Sequence, residues 1–438
     1  MSYGNNSGLQ WLPGLVLCTM LAGCGTEQAP DASSLTENNA DRDSAATIYL
    51  WLTDGDEQTG NFLAVVDGDP ASPAYGEILD TVVTEGVRGF AHHTLLDLPP
   101  SGALFANDYR GNYTWVFDTT SRPVPTVVAE FSNVDGYSFA HSFATLPNGN
   151  ILASFQTRGE PNEIPGGLLE FTPKGDFVRS SSADIGNPNI FIRPYGITVL
   201  PKLDRIVTTN FDMKGKANGY SVQVWRLSDL ALLHTVMLAG DEVDGPRANP
   251  FEARALPDGE TLMIETMSCG LYYMTGIDGE VPQVDHVHTL ENGEMCFLPV
   301  QSGDYWIQTV GGRQIGLGAG AEGDINNDDH FGGVVRVFNI SNPRAPELVQ
   351  ELSVGRSLPH WTSTDPAGKR ILLGGYGLLA SRMMMLNFDP ASGSISIDEN
   401  FGSGDEKGPG LILTRESWPH GDTGPAMAHG AVFGPVNP

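Results

Sequence analysis

Cationic side chains and cysteines are both scarce in this chain. Its 438 residues hold 24 Lys+Arg against 53 Asp+Glu, a formal net charge of −29. Such a surface repels nucleic acid and anionic membranes and attracts cations, which sets aside the polyanion-binding classes. Four cysteines are too few for a disulfide-rich scaffold. No apolar run reaches the length of about 18 residues that a membrane-spanning helix needs. There is no Gly-x-Ser-x-Gly elbow and no P-loop, so those catalytic classes are excluded too. Helical periodicity is also nearly absent. What the chain has is glycine (53), proline (30) and 40% hydrophobic residues, the composition of a turn-rich globular protein.

The N-terminus reads as an export signal. The apolar run Trp11–Met20 is too short to span a bilayer and ends in Leu21-Ala22-Gly23-Cys24, which resembles a bacterial lipobox. Residues 1–24 are therefore expected to be a lipoprotein signal peptide with Cys24 the lipidated residue, although MSYGNNSGLQ lacks the usual positive charge. Residues 25–46 are small and polar, a disordered tether, and the folded part is expected over 47–438. Attachment would be by the lipid anchor alone, on the outer membrane, facing the periplasm or the cell surface. Cys18 leaves with the signal, which leaves Cys269 and Cys296 either as a disulfide or with Cys296 free as a thiol or soft ligand.

A repeat runs through the rest of the chain. In FAHHTLLDLP, FAHSFATLP, PYGITVLP, PFEARALP, LPHWTSTDP and MAHGAVFGP, the residues His93, His141, Tyr195, Phe251, His360 and His429 each stand six positions before a proline. Most of these anchors are followed by a turn and three more short runs rich in Val, Ile, Tyr and Phe, such as ALFAND, YTWVFD and PTVVAEF after His93. A degenerate anchor, GEMCFLPVQSG, supplies a further unit. Repeats of roughly fifty residues with four strands each predict an all-β, seven-bladed β-propeller. The last anchor has no strands after it, while IYLWLTD, FLAVVDGDP and GEILDTV precede the first. One C-terminal strand is thus expected to join three N-terminal strands and close the ring.

Ring closure makes the histidine-bearing units consecutive. First strands line the channel of a propeller, and equal spacing from a common turn puts the anchors on one strand face. His93, His141, His360 and His429 are accordingly expected to bind one transition metal, since imidazole suits copper, iron, zinc and nickel. Strand alternation sends His92 to the other face unless a bulge intervenes, and the extra length before Pro100-Ser101-Gly102 keeps it in the set. Other polar clusters read as surface. His234, His286 and His288 fall in outer strands, and Asp324, Asn326 and Asp328 begin a calcium-loop spacing whose twelfth position is Val335 rather than an acid.

The stretches FLAVVDGDPASPAYGEIL, FAHHT, FAHSFATLPNGNILAS, VQVWRLSDLALLHTVML, VRVFNISNPRAPELVQEL and the closing AMAHG resemble the selenium-binding protein/methanethiol oxidase family, in the same order over about residues 48–432. The resemblance implies a seven-bladed propeller and, from its methanethiol oxidases, a copper centre that oxidises methanethiol with oxygen. His92, His93, His141 and His429 match family histidines, and Tyr195 and Glu252 match a family tyrosine and glutamate. Three departures stand out. LLDLPPSG replaces the cysteine-rich stretch linked with selenium, Ala144 replaces a histidine, and His360 stands where the family usually has glutamine.

These readings lead to an exported, copper-dependent oxidoreductase acting on a small thiol or sulfur compound, with iron or another transition metal as the alternative cofactor. Glu252 is expected as a general base or an acceptor orienting an imidazole, and Tyr195 as a hydroxyl contact beside the centre. The rival reading is a non-catalytic propeller lipoprotein that binds a metal, a ligand or a protein partner.

Overall fold

In the computed structural model, the described residues are 47–434, apart from 57, 87–88, 122–123, 160–163, 188, 191, 214–218, 241–246, 291–294, 312–332, 356–358, 376–380 and 407. Cys24, the tether and the Asp324/Asn326/Asp328 spacing lie outside the described residues. Among the described residues no helix is long and apolar enough to cross a membrane.

The described strands form seven antiparallel sheets, the blades of an all-β propeller. Blade 1 is built from Ala91–Thr94, Ala103–Asp108, Tyr113–Asp118 and Thr126–Phe131, innermost strand first. Blades 2, 3 and 4 begin with Tyr137–Thr145, Pro194–Leu200 and Pro250–Ala255 and repeat that order. Blade 5 has a split innermost strand, Met295–Cys296 and Val300–Ser302, both pairing with Tyr305–Gly311. Blade 6 begins with Pro359–Thr364.

Blade 7 closes the ring in the way the unpaired runs at the two ends required. Its innermost strand, Gly424–Phe433, pairs antiparallel with Thr47–Asp54 from Ile48↔Phe433 to Asp54↔Ala426. The N-terminal strands Phe62–Asp67 and Ile78–Val83 complete the blade. The pairing of Gly424–Phe433 with Thr47–Asp54 gives blade 7 its full set of four strands.

Burial falls from the axis outward. Second strands are packed on both faces, so Thr47–Asp54 is buried from Ile48 onward and Ala103–Asp108 throughout, whereas outermost strands such as Thr126–Phe131 are largely exposed. The core consists of layers between blades. Trp51 of blade 7 packs 5.5 Å from Trp115 and 5.7 Å from Phe117 of blade 1 and donates its indole N–H to the Asn107 carbonyl at 2.7 Å. Truncating such a ring leaves a cavity that costs about 3–5 kcal/mol.

Cys269 and Cys296 form a disulfide, with Cα atoms 5.1 Å apart. It ties blade 4 to the short innermost strand of blade 5, where the anchor sequence is weakest. Both residues are fully buried. Of the two alternatives left open by the sequence the disulfide is the one formed, so Cys296 offers no free thiol or soft metal ligand.

Candidate metal centre

The anchors converge by a device more general than strand alternation. Six innermost strands carry a β-bulge at the anchor. Between the pairs Ala91↔Asp108 and Thr94↔Ala106, both His92 and His93 oppose Asn107. His141 and Ser142 likewise oppose Ser154, and Tyr195 and Gly196 oppose Thr209. In blades 4, 6 and 7 the register skips Phe251, His360 and His429. A bulge re-aims a side chain and increases local twist. It brings His92 to the same side as His93, with the two rings stacked 4.1 Å apart and only 2° from parallel. Equal spacing placed the anchors at equivalent positions of their strands, and the bulge, allowed for at His92, replaces simple alternation at all six.

The bulges are held by side chains of the second strands. Asn107 Oδ1 accepts the His93 N–H at 2.7 Å, Ser154 Oγ accepts that of Ser142 at 3.1 Å, and Thr209 Oγ1 accepts that of Gly196 at 2.8 Å. The same groups donate to the anchor of the next blade. Asn107 Nδ2 reaches the His141 carbonyl at 3.2 Å, Ser154 Oγ the Tyr195 carbonyl at 2.7 Å, and Thr209 Oγ1 the Phe251 carbonyl at 2.8 Å. Gly430 lets blade 7 press against blade 1, since a Cβ there would lie 3.0 Å from the His92 carbonyl oxygen.

All five histidines are buried. Ring centres are 4.4 Å apart for His92–His429, 4.9 Å for His92–His141, 4.3 Å for His93–His141, 5.7 Å for His93–His429 and 4.3 Å for His360–His429. Two imidazoles sharing an ion at about 2.0–2.1 Å have ring centres roughly 4.5–5.5 Å apart. Neighbouring pairs along the arc are therefore on the scale of a shared ion. His92, His93 and His429 each offer a nitrogen within 4.8 Å of the others, a group able to hold a metal. Because His92 and His93 are stacked, one of them must turn for both to share an ion. His141 and His360 border this trio through ring contacts.

Ser142 orients two of the rings. Its hydroxyl lies 3.0 Å from His141 Nδ1 and 3.3 Å from His93 Nδ1. An Nδ1–H donated to that oxygen leaves Nε2 as the lone pair, the tautomer of a ligating imidazole. His93 Nε2, His141 Nε2 and His92 Nδ1 are all buried without a hydrogen-bond partner. Desolvation holds His92, His93, His141 and His429 well below the usual histidine range, with repulsion from neighbouring imidazoles adding to it and, at His141, a hydrogen bond to the Tyr195 backbone opposing it. Burial lowers His360 to about 3. At neutral pH the rings are neutral donors, the form a metal requires.

The other side of the channel is apolar. Tyr195, Phe251 and Phe297 occupy the anchor level of blades 3, 4 and 5, with Tyr195 3.6 Å from His141 and Phe297 4.8 Å from His360, centre to centre. Glu252 does not join the imidazoles by any hydrogen bond among the described residues. Its carboxylate is ion-paired with Arg254 at 2.6 Å and lies against Gly196, where a Cβ would meet Oε2 at 2.6 Å. Burial raises its pKa and Arg254 opposes that shift. His286 is exposed and His234 and His288 are half-buried, all in outermost strands away from the channel.

Sequence reasoning missed Ser142, and also Asn107, Ser154 and Thr209, although a polar residue 13 or 14 positions after His93, His141 and Tyr195, inside an apolar second strand, was a usable signal. It also missed Asp54, Asp56 and Asp422, whose oxygens lie within 4.8 Å of one another. Only ring closure brings that group together, and Asp54 already accepts from Thr59 and Asp56.

No protein-family model matches the chain, and no curated protein matches it. Solved structures do. A protein from Sulfolobus tokodaii described as a hypothetical selenium-binding protein superposes with TM-score 0.67 at 17% identity, over 89% of this chain and 94% of that one. A periplasmic gluconolactonase from Pseudomonas aeruginosa gives 0.59 at 12% identity, over 90% and 100%. A Lactobacillus plantarum protein gives 0.61 at 10% identity, over 89% and 100%. At these identities the likeness is one of fold: this chain is a seven-bladed propeller similar in architecture to a selenium-binding-type propeller, with a buried histidine cluster able to chelate a metal ion.

Proposed function

We propose that this protein is an exported, metal-dependent oxidoreductase of the methanethiol-oxidase type, with copper held by His92, His93, His141, His360 and His429. The observation that carries the reading is the buried imidazole arc in which ring nitrogens of His92, His93 and His141 have no partner while Ser142 engages the opposite nitrogens of two of them. Buried polar atoms are normally satisfied, and unpartnered nitrogens within a cluster of buried imidazoles fit a metal. Copper bound there supplies one-electron chemistry and lowers the pKa of a coordinated thiol. The chain's own residues keep the imidazoles neutral, fix two tautomers through Ser142, and exclude water with Tyr195, Phe251, Phe297 and the buried Trp361, whose ring centre lies 4.9 Å from that of His93. That apolar wall suits a small thiol or sulfur compound as substrate and oxygen as oxidant. Lipidation of Cys24 would place the propeller at the outer membrane, facing the periplasm or the cell surface.

The test is metal content followed by oxygen uptake. Purified protein should take up about one copper per chain, and the loaded form should consume oxygen with a small thiol. His429→Ala should abolish both. Copper uptake without oxygen consumption on any small thiol would favour a metal-binding propeller without catalysis, and absence of copper uptake would refute the centre itself.

A further inference from the structure

One polar atom beside the histidines is not used by the reading above. Tyr109 follows the second strand of blade 1, and its N–H donates to the Phe90 carbonyl at 3.2 Å. Its ring sits 5.6 Å from His92, 6.1 Å from His141 and 5.6 Å from Phe139, centre to centre. The residue is 7% exposed, and its hydroxyl is buried with no hydrogen-bond partner. The buried Arg193–Asp212 pair, 2.9 Å apart, is close enough to act on the phenol electrostatically, yet it supplies no hydrogen bond to it. A buried hydroxyl left unpartnered weakens the fold, a cost that phenylalanine in the same place would avoid. The ring that carries the orphan hydroxyl borders His92 and His141, each of which has an orphan ring nitrogen. Phe139, which packs on Tyr109, holds a left-handed backbone conformation at φ 62°, with its N–H accepted by Asn112 Oδ1 at 2.5 Å. Non-glycine residues in that region are strained, and such strain collects at ligand sites.

We propose that Tyr109 is a ligand-binding residue of the histidine centre, its hydroxyl donating a hydrogen bond to the small anionic or thiolate ligand that sits beside His92 and His141. The inference rests on the metal-centre reading. Burial also pushes the phenol above its ordinary range, which keeps it protonated and a donor at neutral pH. The experiment compares Tyr109→Phe with the parent in three measurements: thermal unfolding of metal-free protein, copper bound per chain, and azide affinity of the copper-loaded form from its absorption band. The expected result is an unfolding midpoint equal to the parent's or higher, unchanged copper content, and azide binding weakened about 10- to 100-fold, as loss of a hydrogen bond to a charged ligand predicts. Equal azide affinity would overturn the proposal, and so would a lowered midpoint or failure to fold, either of which assigns the hydroxyl a structural role. A parent that takes up no copper fails before azide is added, which marks failure of the metal centre rather than of Tyr109 alone.

Discussion

Replacing His360 by glutamine in metal-free protein isolates the cost of one buried neutral imidazole. Burial lowers the His360 pKa from 6.5 to about 3. A depressed histidine pKa weakens the fold in acid, because the unfolded chain takes up the proton first. The contribution is fully present above pH 6.5 and is lost as pH falls toward about 3. At pH 5, about 1.5 units below the unfolded value, one such imidazole costs about 2 kcal/mol, and at pH 7.5 almost nothing. His92, His93, His141 and His429 shift in the same direction for the same leading cause. Glu252 and Glu265, both raised by burial, act with the opposite sign, but they are common to both proteins and cancel in the comparison. Glutamine is neutral at every pH, so its packing cost also cancels between the two conditions. Urea unfolding of parent and His360→Gln, followed by tryptophan fluorescence after chelation, should show the variant gaining about 2 kcal/mol on the parent between pH 7.5 and 5. A difference between the two proteins that does not change with pH would refute the argument that His360 is neutral and buried in the metal-free fold.

Three further outcomes are expected. Ser142→Ala removes the hydroxyl that engages His93 and His141, and copper affinity measured against a competing chelator should fall about 10- to 100-fold. Deleting residues 426–438 removes the strand paired with Thr47–Asp54, and the truncated protein should aggregate or lose cooperative unfolding in calorimetry, whereas an unchanged melt would contradict the closure. Cys24→Ser should abolish partitioning into detergent, and unchanged partitioning would remove the lipid anchor.

Blade number and ring closure could be read from the sequence because each depends on local pattern: short β-rich runs between turns, and a count that leaves one strand at one end and three at the other. The anchor histidines were legible for the same reason, since a fixed distance to a following proline needs no knowledge of neighbours. Side-chain direction at the anchors did not follow from alternation. A bulge exists where a second-strand group such as Asn107 or Thr209 accepts the displaced N–H and donates to the next blade's carbonyl, and those partners are defined only after blades pack. The Cys269–Cys296 pairing was left open because only the fold of blade 4 against blade 5 brings those Cα atoms within bonding reach. Tyr109 was invisible for a related reason: an unpartnered hydroxyl is a property of its surroundings, and FANDYRGN alone gives no sign that the ring will border two imidazoles. The sequence by itself determined which residues face the channel, through repetition along the chain. The tertiary structure decided how they are aimed, because hydrogen bonds that cross from blade to blade link residues that no local pattern connects.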